Sequence, residues 1–109
     1  MIEIRHTGIV TKNLKNSIWF WQKLLKFKIK KQMIERGKAI DKVLSYKNVK
    51  VKTLKLEDSF KNQIELLYFF NPPNISNKKI FPYSEGYTHI SLTVKRIDNL
   101  YKKLKKNKI

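Results

Sequence analysis

Cysteine is absent from this 109-residue chain, which excludes a disulfide framework and thiolate chemistry. Arginine is scarce, although it is the side chain best suited to clamping phosphates and reading bases: the three are Arg5, Arg36 and Arg96. No apolar run is long enough to span a bilayer, and the start has no apolar segment after a basic leader. We therefore expect one soluble cytoplasmic domain, with neither a membrane nor a nucleic acid as its partner.

Acidic residues are also few. Eight acids against 25 bases leave a formal net charge of +17 at pH 7. The lysines occur together with many isoleucines and asparagines, which favours a generally solvated lysine surface over a nucleic-acid-binding face. The positive field would still draw small anionic molecules towards any cleft, so the charge favours an anionic small-molecule substrate.

The most informative feature present is a repeated strand-like segment. The stretch His6–Leu14 is echoed 83 residues later by His89–Ile97, and the two histidines are the only ones in the chain. In each copy a histidine opens a period-2 alternation, and a lysine and a helical apolar pattern follow. The repeat predicts a site built near a pseudo-twofold axis.

Periodicity predicts the secondary structure around the two copies. Asn13 is predicted to cap a helix that ends near Leu25, and a short helical turn is expected within residues 36–46. In the strand over 49–56 the apolar parity shifts, which predicts a bulge or burial on both sides. A second amphipathic helix is expected from Ile97 onwards. Strands are expected over residues 2–11, 27–35, 49–56, 63–70 and 87–94.

Taken together, these segments resemble the glyoxalase, bleomycin-resistance and extradiol-dioxygenase superfamily, also called vicinal oxygen chelate proteins, over essentially the whole chain. Residues 41–57 further resemble the short, epimerase-like members. The segments that carry the resemblance are His6–Val10, Ser17–Phe27, Ile64–Leu67 and Gly86–Ile90.

The resemblance implies an α+β fold of paired βαβββ modules in a single glyoxalase-like domain over residues 1–109. Residues 1–70 would form a complete first module, 71–86 a linker, and 87–109 only the strand and helix of a second module. The chain departs from the family pattern at three turns or caps. Lys26 and the turn before Gln63 lack the usual glycine, and Arg96 replaces an acidic helix cap.

The resemblance also implies a divalent metal held by His6, Glu65 and His89, with Glu65 able to act as the catalytic base. Two imidazoles and one carboxylate suit Zn, Fe, Mn, Co or Ni, and would leave positions open for substrate oxygens. A fourth ligand, expected on the last strand of the second module, has no counterpart in these residues. The parity of the three residues agrees with a common face, because each is opposite in parity to the helix-facing positions Ile9, Leu66 and Leu92.

The function implied is a metal-dependent lyase or isomerase, of the lactoylglutathione lyase or epimerase type, acting on a small oxygen-chelating anionic substrate. Three alternatives stay open: an extradiol-type dioxygenase, a metal-free ligand- or antibiotic-sequestering protein, and an inactive truncated chain. His6 and His89 could also be ordinary polar strand residues, and Glu65 could face solvent. Because the strand over 87–94 would lack a partner, we expect a homodimer.

Overall fold

The computed structural model describes residues 1–75, 79–87 and 89–109. Two compact units make up the chain, Met1–Ser76 and Asn77–Ile109. Part of the predicted linker, residues 76–78, lies outside the described residues, and so does Thr88 of the predicted fifth strand.

The first unit contains a four-stranded sheet, two α-helices and a π-helical turn. Its elements are β1 Thr7–Val10, α1 Leu14–Ile18, the π-helical turn Trp19–Leu24, β2 Lys28–Arg36, α2 Lys38–Leu44, β3 Lys50–Glu57 and β4 Gln63–Asn71. The strand order is β1-β4-β3-β2, in which β1 is parallel to β4 and the other neighbours are antiparallel. β1 and β2 are therefore the edges of this sheet.

β1 is shorter than the strand predicted over residues 2–11. The ladder runs from Thr7 opposite Ile64 to Val10 opposite Leu67. Ile2 and Ile4 precede the ladder and are exposed. Alternation of apolar and polar residues shows which residues can form a strand, but a ladder forms only where a partner strand runs alongside.

The first helix begins at the predicted cap and then changes its winding. Asn13 Oδ1 accepts a hydrogen bond from the backbone N–H of Asn16 at 3.0 Å. After α1 the helix widens, and Leu25 N donates to Phe20 O, five residues earlier, at 3.0 Å. Lys26 then ends the helix in the left-handed conformation, with φ 65°. Lysine thus adopts the backbone conformation for which the resemblance implies glycine.

The helix packs on one face of the sheet and forms the core there. Leu54 lies opposite Leu66, and Leu56 lies opposite Ile64, so cross-strand leucine and isoleucine pairs build this face. The buried core cluster comprises Trp21, Leu54, Leu56, Ile64 and Leu66. Because side chains alternate along a strand, the neighbouring pair Lys55 and Glu65 belongs to the opposite face of the sheet, hereafter the Glu65 face.

The centre of β3 is buried on both sides. Thr53 and Leu54 are consecutive residues of opposite parity, and both are buried. The pairing of β3 with β4 is also irregular between Lys50 and Val51. Two-sided burial, one of the two predicted explanations of the parity shift, is therefore present in β3. The other, a bulge, is not: the extra residue at each irregular point lies on a neighbouring strand, Lys30 on β2 and Phe70 on β4.

The second unit contains α3, Ile97–Lys106, which was predicted, but no strand among its described residues. The strand prediction for 87–94 was wrong for the residues described there, which lie outside any helix or strand. In the repeat this segment corresponds to β1, which pairs with β4 in the sheet that the described residues form. Among the described residues, 89–94 form no ladder with another strand, and an alternating segment forms a strand only beside such a partner. Across the described residues, no helix has the length and apolarity needed to cross a bilayer.

Candidate functional site

Three polar side chains meet on the Glu65 face. His6 Nε2 lies 3.7 Å from Glu65 Oε1, and Lys55 Nζ lies 3.8 Å from Glu65 Oε2. All three side chains are partly buried, with 31% of His6, 28% of Lys55 and 16% of Glu65 exposed. The Glu65 carboxylate therefore lies between an imidazole and an ammonium group, with one oxygen towards each.

Strand register explains why these side chains meet. Lys55 on β3 lies directly opposite Glu65 on β4 in the antiparallel ladder. On the other side of β4, Gly8 lies opposite Glu65 in the parallel ladder, and His6 precedes Gly8 by two residues and so has the same parity. The first-strand segment, β3 and β4 each contribute one side chain to the same place.

Gly8 makes room on this face for the Leu67 side chain. A Cβ atom at Gly8 would lie 3.3 Å from Leu67 Cδ1, which is a tight contact with a residue of the same face. The Leu67 side chain therefore occupies the space over Gly8, and a larger residue at this position would have to displace it.

One atom of the site has unused hydrogen-bonding capacity. Among the described residues His6 Nδ1 is buried and has no hydrogen-bond partner. Buried polar groups in native proteins are nearly always paired, so an orphaned nitrogen calls for an explanation. A ligand or a bound water that reaches His6 would provide one.

The polar character of the Glu65 face continues towards the end of β3. Glu57 follows Lys55 by two residues and thus lies on the same face, where its Oε2 accepts a hydrogen bond from Gln63 Nε2 at 3.0 Å. Lys30, at the irregular point of β2, places its Nζ 3.8 Å from Glu57 Oε1. The Glu57 carboxylate is therefore a second paired carboxylate on the Glu65 face. It serves as a control for substitutions of Glu65.

A surface depression elsewhere in the first unit is a less convincing site, because the loop itself uses its polar groups. Asp41 accepts hydrogen bonds from the backbone N–H groups of Asn48 and Val49 at 3.0 and 2.8 Å. Asn71 Nδ2 donates to Asn48 O at 2.6 Å. These contacts fix the connection between α2 and β3, so we assign them a structural role.

Two of the three predicted ligands lie together in the structure, and the third lies in the other unit. His6 and Glu65 lie side by side on one face, in the first unit. His89 is exposed and lies in the second unit, outside any helix or strand. The convergence of His89 with the other two stays a prediction.

Sequence reasoning missed Lys55. Its only signal was a lysine within the apolar run of β3, and several lysines in this chain occupy such positions. The contact with Glu65 depends on the register between β3 and β4, which the sequence does not specify by itself.

Comparisons with known proteins agree with this architecture. The family model of the Glyoxalase/Bleomycin resistance protein/Dioxygenase superfamily matches residues 3–109. Comparison with curated proteins gives no significant match. The crystal structure of a glyoxalase family protein from Bacillus cereus is similar with a TM-score of 0.89 and 22% identity, over 98% of this chain and 72% of that chain. At that identity the likeness shows a common fold, and the predicted α+β glyoxalase-like fold is confirmed. The family match over nearly the whole chain shows that this protein belongs to the Glyoxalase/Bleomycin resistance protein/Dioxygenase superfamily.

Proposed function

We propose that this protein binds a small, oxygen-rich anionic molecule on the Glu65 face and catalyses a lyase or isomerase reaction on it. The observation that carries the proposal is the position of the Glu65 carboxylate, which is 16% exposed and lies between His6 and Lys55. A carboxylate held in such a place can accept a proton from bound substrate and return it. The proposed substrate class agrees with the net charge of +17, which attracts anions.

The isomerase reaction needs only a proton transfer, in which the substrate loses a proton from a carbon next to a carbonyl group and regains one at the same or a neighbouring carbon. A lyase reaction begins with the same proton loss and then breaks the bond from the neighbouring carbon to a leaving group, which takes up the proton. We assign the transfer to Glu65, because its carboxylate can hold the proton between the two steps. The His6 imidazole would orient Glu65 from one side through Nε2.

The donor atoms of this site suit a divalent metal, but the positive charge of Lys55 beside them does not. An imidazole and a carboxylate suit a metal that polarises substrate oxygens as a Lewis acid. The Lys55 ammonium, however, is 3.8 Å from the other oxygen of Glu65. Ligating histidines also normally donate their second ring N–H to an acceptor, and His6 Nδ1 has none among the described residues.

Within the same described residues, no three His, Cys, Asp or Glu side chains are grouped closely enough to hold a metal ion. His6, Glu65 and His89 therefore remain predicted ligands. The proton transfer assigned to Glu65 involves no step at a metal.

Deuterium exchange tests the proposed chemistry. A panel of 2-oxo and 2-hydroxy carboxylates is incubated with the protein in D₂O, and proton NMR follows loss of the C3 proton signal of the former and of the C2 proton signal of the latter. We expect exchange of at least one compound, slowed by about 100-fold or more in Glu65→Gln, since a positioned base contributes that much. Glu57→Gln is the matched control, because it neutralises another paired carboxylate of the same face, and it should exchange within about threefold of wild type.

Equal exchange by Glu65→Gln and wild type would remove Glu65 from the chemistry. Equal loss in the two variants would show that the effect is one of stability or surface charge. Circular dichroism on each variant separates loss of fold from loss of catalysis.

A second function, metal-free sequestration of a ligand, is favoured by the contact of Lys55 with Glu65. That contact provides a charge-neutral polar site without any metal. The ligand would then bind stoichiometrically and leave unchanged. Calorimetric binding of a panel compound without deuterium exchange would identify this function.

We also propose that two copies of the chain associate. In the second unit, Ile90 and Leu92 are exposed, and in the first unit the 9-residue edge strand β2 exposes Met33 and Ile34. Light scattering after size exclusion, at several concentrations and at raised salt, tests this, because salt screens the repulsion between chains of charge +17. The mass of a single chain throughout the series would contradict the proposal.

A further inference from the structure

We propose that Lys55 supplies the positive charge of this site: its ammonium group holds the Glu65 carboxylate and keeps divalent metals from binding tightly to His6 and Glu65. The inference rests on the same site as the proposed function. Its test needs no substrate, so the two can fail independently.

The contact of Lys55 with Glu65 is fixed by the backbone. Lys55 and Glu65 are directly opposed in the ladder between β3 and β4, and both strands are inner strands of the sheet. Their charged atoms are 3.8 Å apart, with 28% of the lysine side chain and 16% of the glutamate exposed. The ammonium is therefore held beside the carboxylate by strand pairing.

A metal and this ammonium would compete for the same carboxylate. A metal held by His6 and Glu65 would bind the same carboxylate whose Oε2 lies 3.8 Å from Lys55 Nζ. Like charges placed on one carboxylate repel, and salt screens the repulsion weakly where the groups are partly buried. Metal binding would have to displace Lys55 or overcome its charge.

The plainer explanation is a cross-strand ion pair that only stabilises the sheet. Such pairs stabilise a sheet modestly, and removing one would lower stability without changing metal affinity. The orphaned His6 Nδ1 and the low exposure of Glu65 are unusual for a surface pair. Metal affinity is therefore the measurement that separates the two explanations.

The experiment measures binding of Mn²⁺ and Zn²⁺, each alone, by isothermal titration calorimetry on full-length protein purified without an affinity tag and stripped of metal. Lys55→Gln should bind one ion at least tenfold more tightly than wild type. Lys52→Gln is the matched control, because Lys52 lies on the same strand with the opposite parity and its loss changes the net charge equally. Its affinity should stay within about threefold of wild type. Equal affinities in the two variants would overturn the inference.

Additional variants locate the gained site. Lys55→Arg keeps the charge and should keep the wild-type affinity. Adding Glu65→Gln or His6→Ala to Lys55→Gln should abolish the gain. A gain that survives both additions would show that the ion binds elsewhere, which also overturns the inference.

Loss of fold is checked on every variant by circular dichroism and thermal unfolding. If Lys55→Gln does not fold, Lys55→Met takes its place, because methionine is neutral and similar in length. The same tenfold gain in affinity is then required of Lys55→Met, and its absence overturns the inference.

Discussion

The two histidine-bearing segments have nearly the same pattern of residues and different structures. The first forms β1, which pairs with β4 over four residues. In the second, the described residues 89–94 belong to no strand. The contrast shows that an alternating pattern allows a segment to form a strand but does not ensure it. The strand forms only where a partner strand offers its N–H and C=O groups.

Core truncation should give the largest difference between the two units. Leu66 is fully buried in the first unit, so Leu66→Ala should lower the free energy of unfolding by about 2–5 kcal/mol. Leu92 in the second unit is exposed, and Leu92→Ala should cost less than about 1 kcal/mol. Urea unfolding followed by circular dichroism measures both. A similar cost at both positions would mean that Leu92 is buried in solution by a contact made there.

The two histidines provide a sharper comparison, because the repeat predicts that they serve one site. In the Lys55→Gln background, His6→Ala and His89→Ala should each weaken Zn²⁺ binding at least tenfold, which is about 1.4 kcal/mol. Calorimetry measures both affinities. If His6→Ala weakens binding and His89→Ala does not, the first unit holds the site alone, and the predicted convergence is wrong.

Substituting the two lysines of the first unit that have a left-handed backbone should raise the free energy of unfolding, whereas the core truncation lowers it. Lys26 and Lys61 have φ values of 65° and 67°, a conformation that costs a residue with a side chain about 1–2 kcal/mol. Glycine avoids this cost but loses more chain entropy on folding. Lys26→Gly and Lys61→Gly should therefore each raise the free energy of unfolding by about 0.5–1 kcal/mol. Lys23→Gly, inside the π-helical turn, should lower it, and a gain there would show that the effect is not conformational.

The smallest effect should come from the turn before β4. A side-chain hydrogen bond from Asn62, with further backbone donors at Asn62 and Phe60, holds the pKa of Asp58 below its usual value. Because the folded pKa is the lower one, the stabilisation is present above about pH 4 and is lost as the pH falls through the folded pKa.

Asp58→Ala tests this turn. The variant should lose about 1 kcal/mol of stability at pH 7, since several exposed hydrogen bonds disappear. Its stability should also depend less on pH below about pH 4, as measured by thermal unfolding at a series of pH values. Asp98→Ala, in the first turn of α3, should leave the acid dependence of the first unit unchanged.

Local pattern predicted much of the fold. Asn13 was predicted as a cap because its side chain can accept an orphan N–H, and that bond forms. The strands of the first unit were found because each needs one apolar face. The fifth strand was predicted wrongly for its described residues, since the pattern of a segment cannot reveal whether a partner strand lies beside it.

The candidate site was less accessible to sequence reasoning. His6 and Glu65 could be selected from the resemblance and from parity, and the structure places them 3.7 Å apart. Lys55 could not be selected, because its meeting with Glu65 depends on strand register. The arrangement of charge around Glu65 is therefore a property of the folded sheet.

The π-helical turn Trp19–Leu24 has a consequence for how this chain is aligned with its relatives. A π-helical turn holds more residues than an α-helical turn, and each residue of an α-helix advances by about 100° around the axis. In a relative whose helix stays α-helical, the positions after this turn would be out of phase with Leu24, Leu25 and Lys26. A one-residue gap in the relative, opposite Trp19–Leu24, would restore the alignment. Sequence identity counted without that gap is therefore too low at the end of this helix.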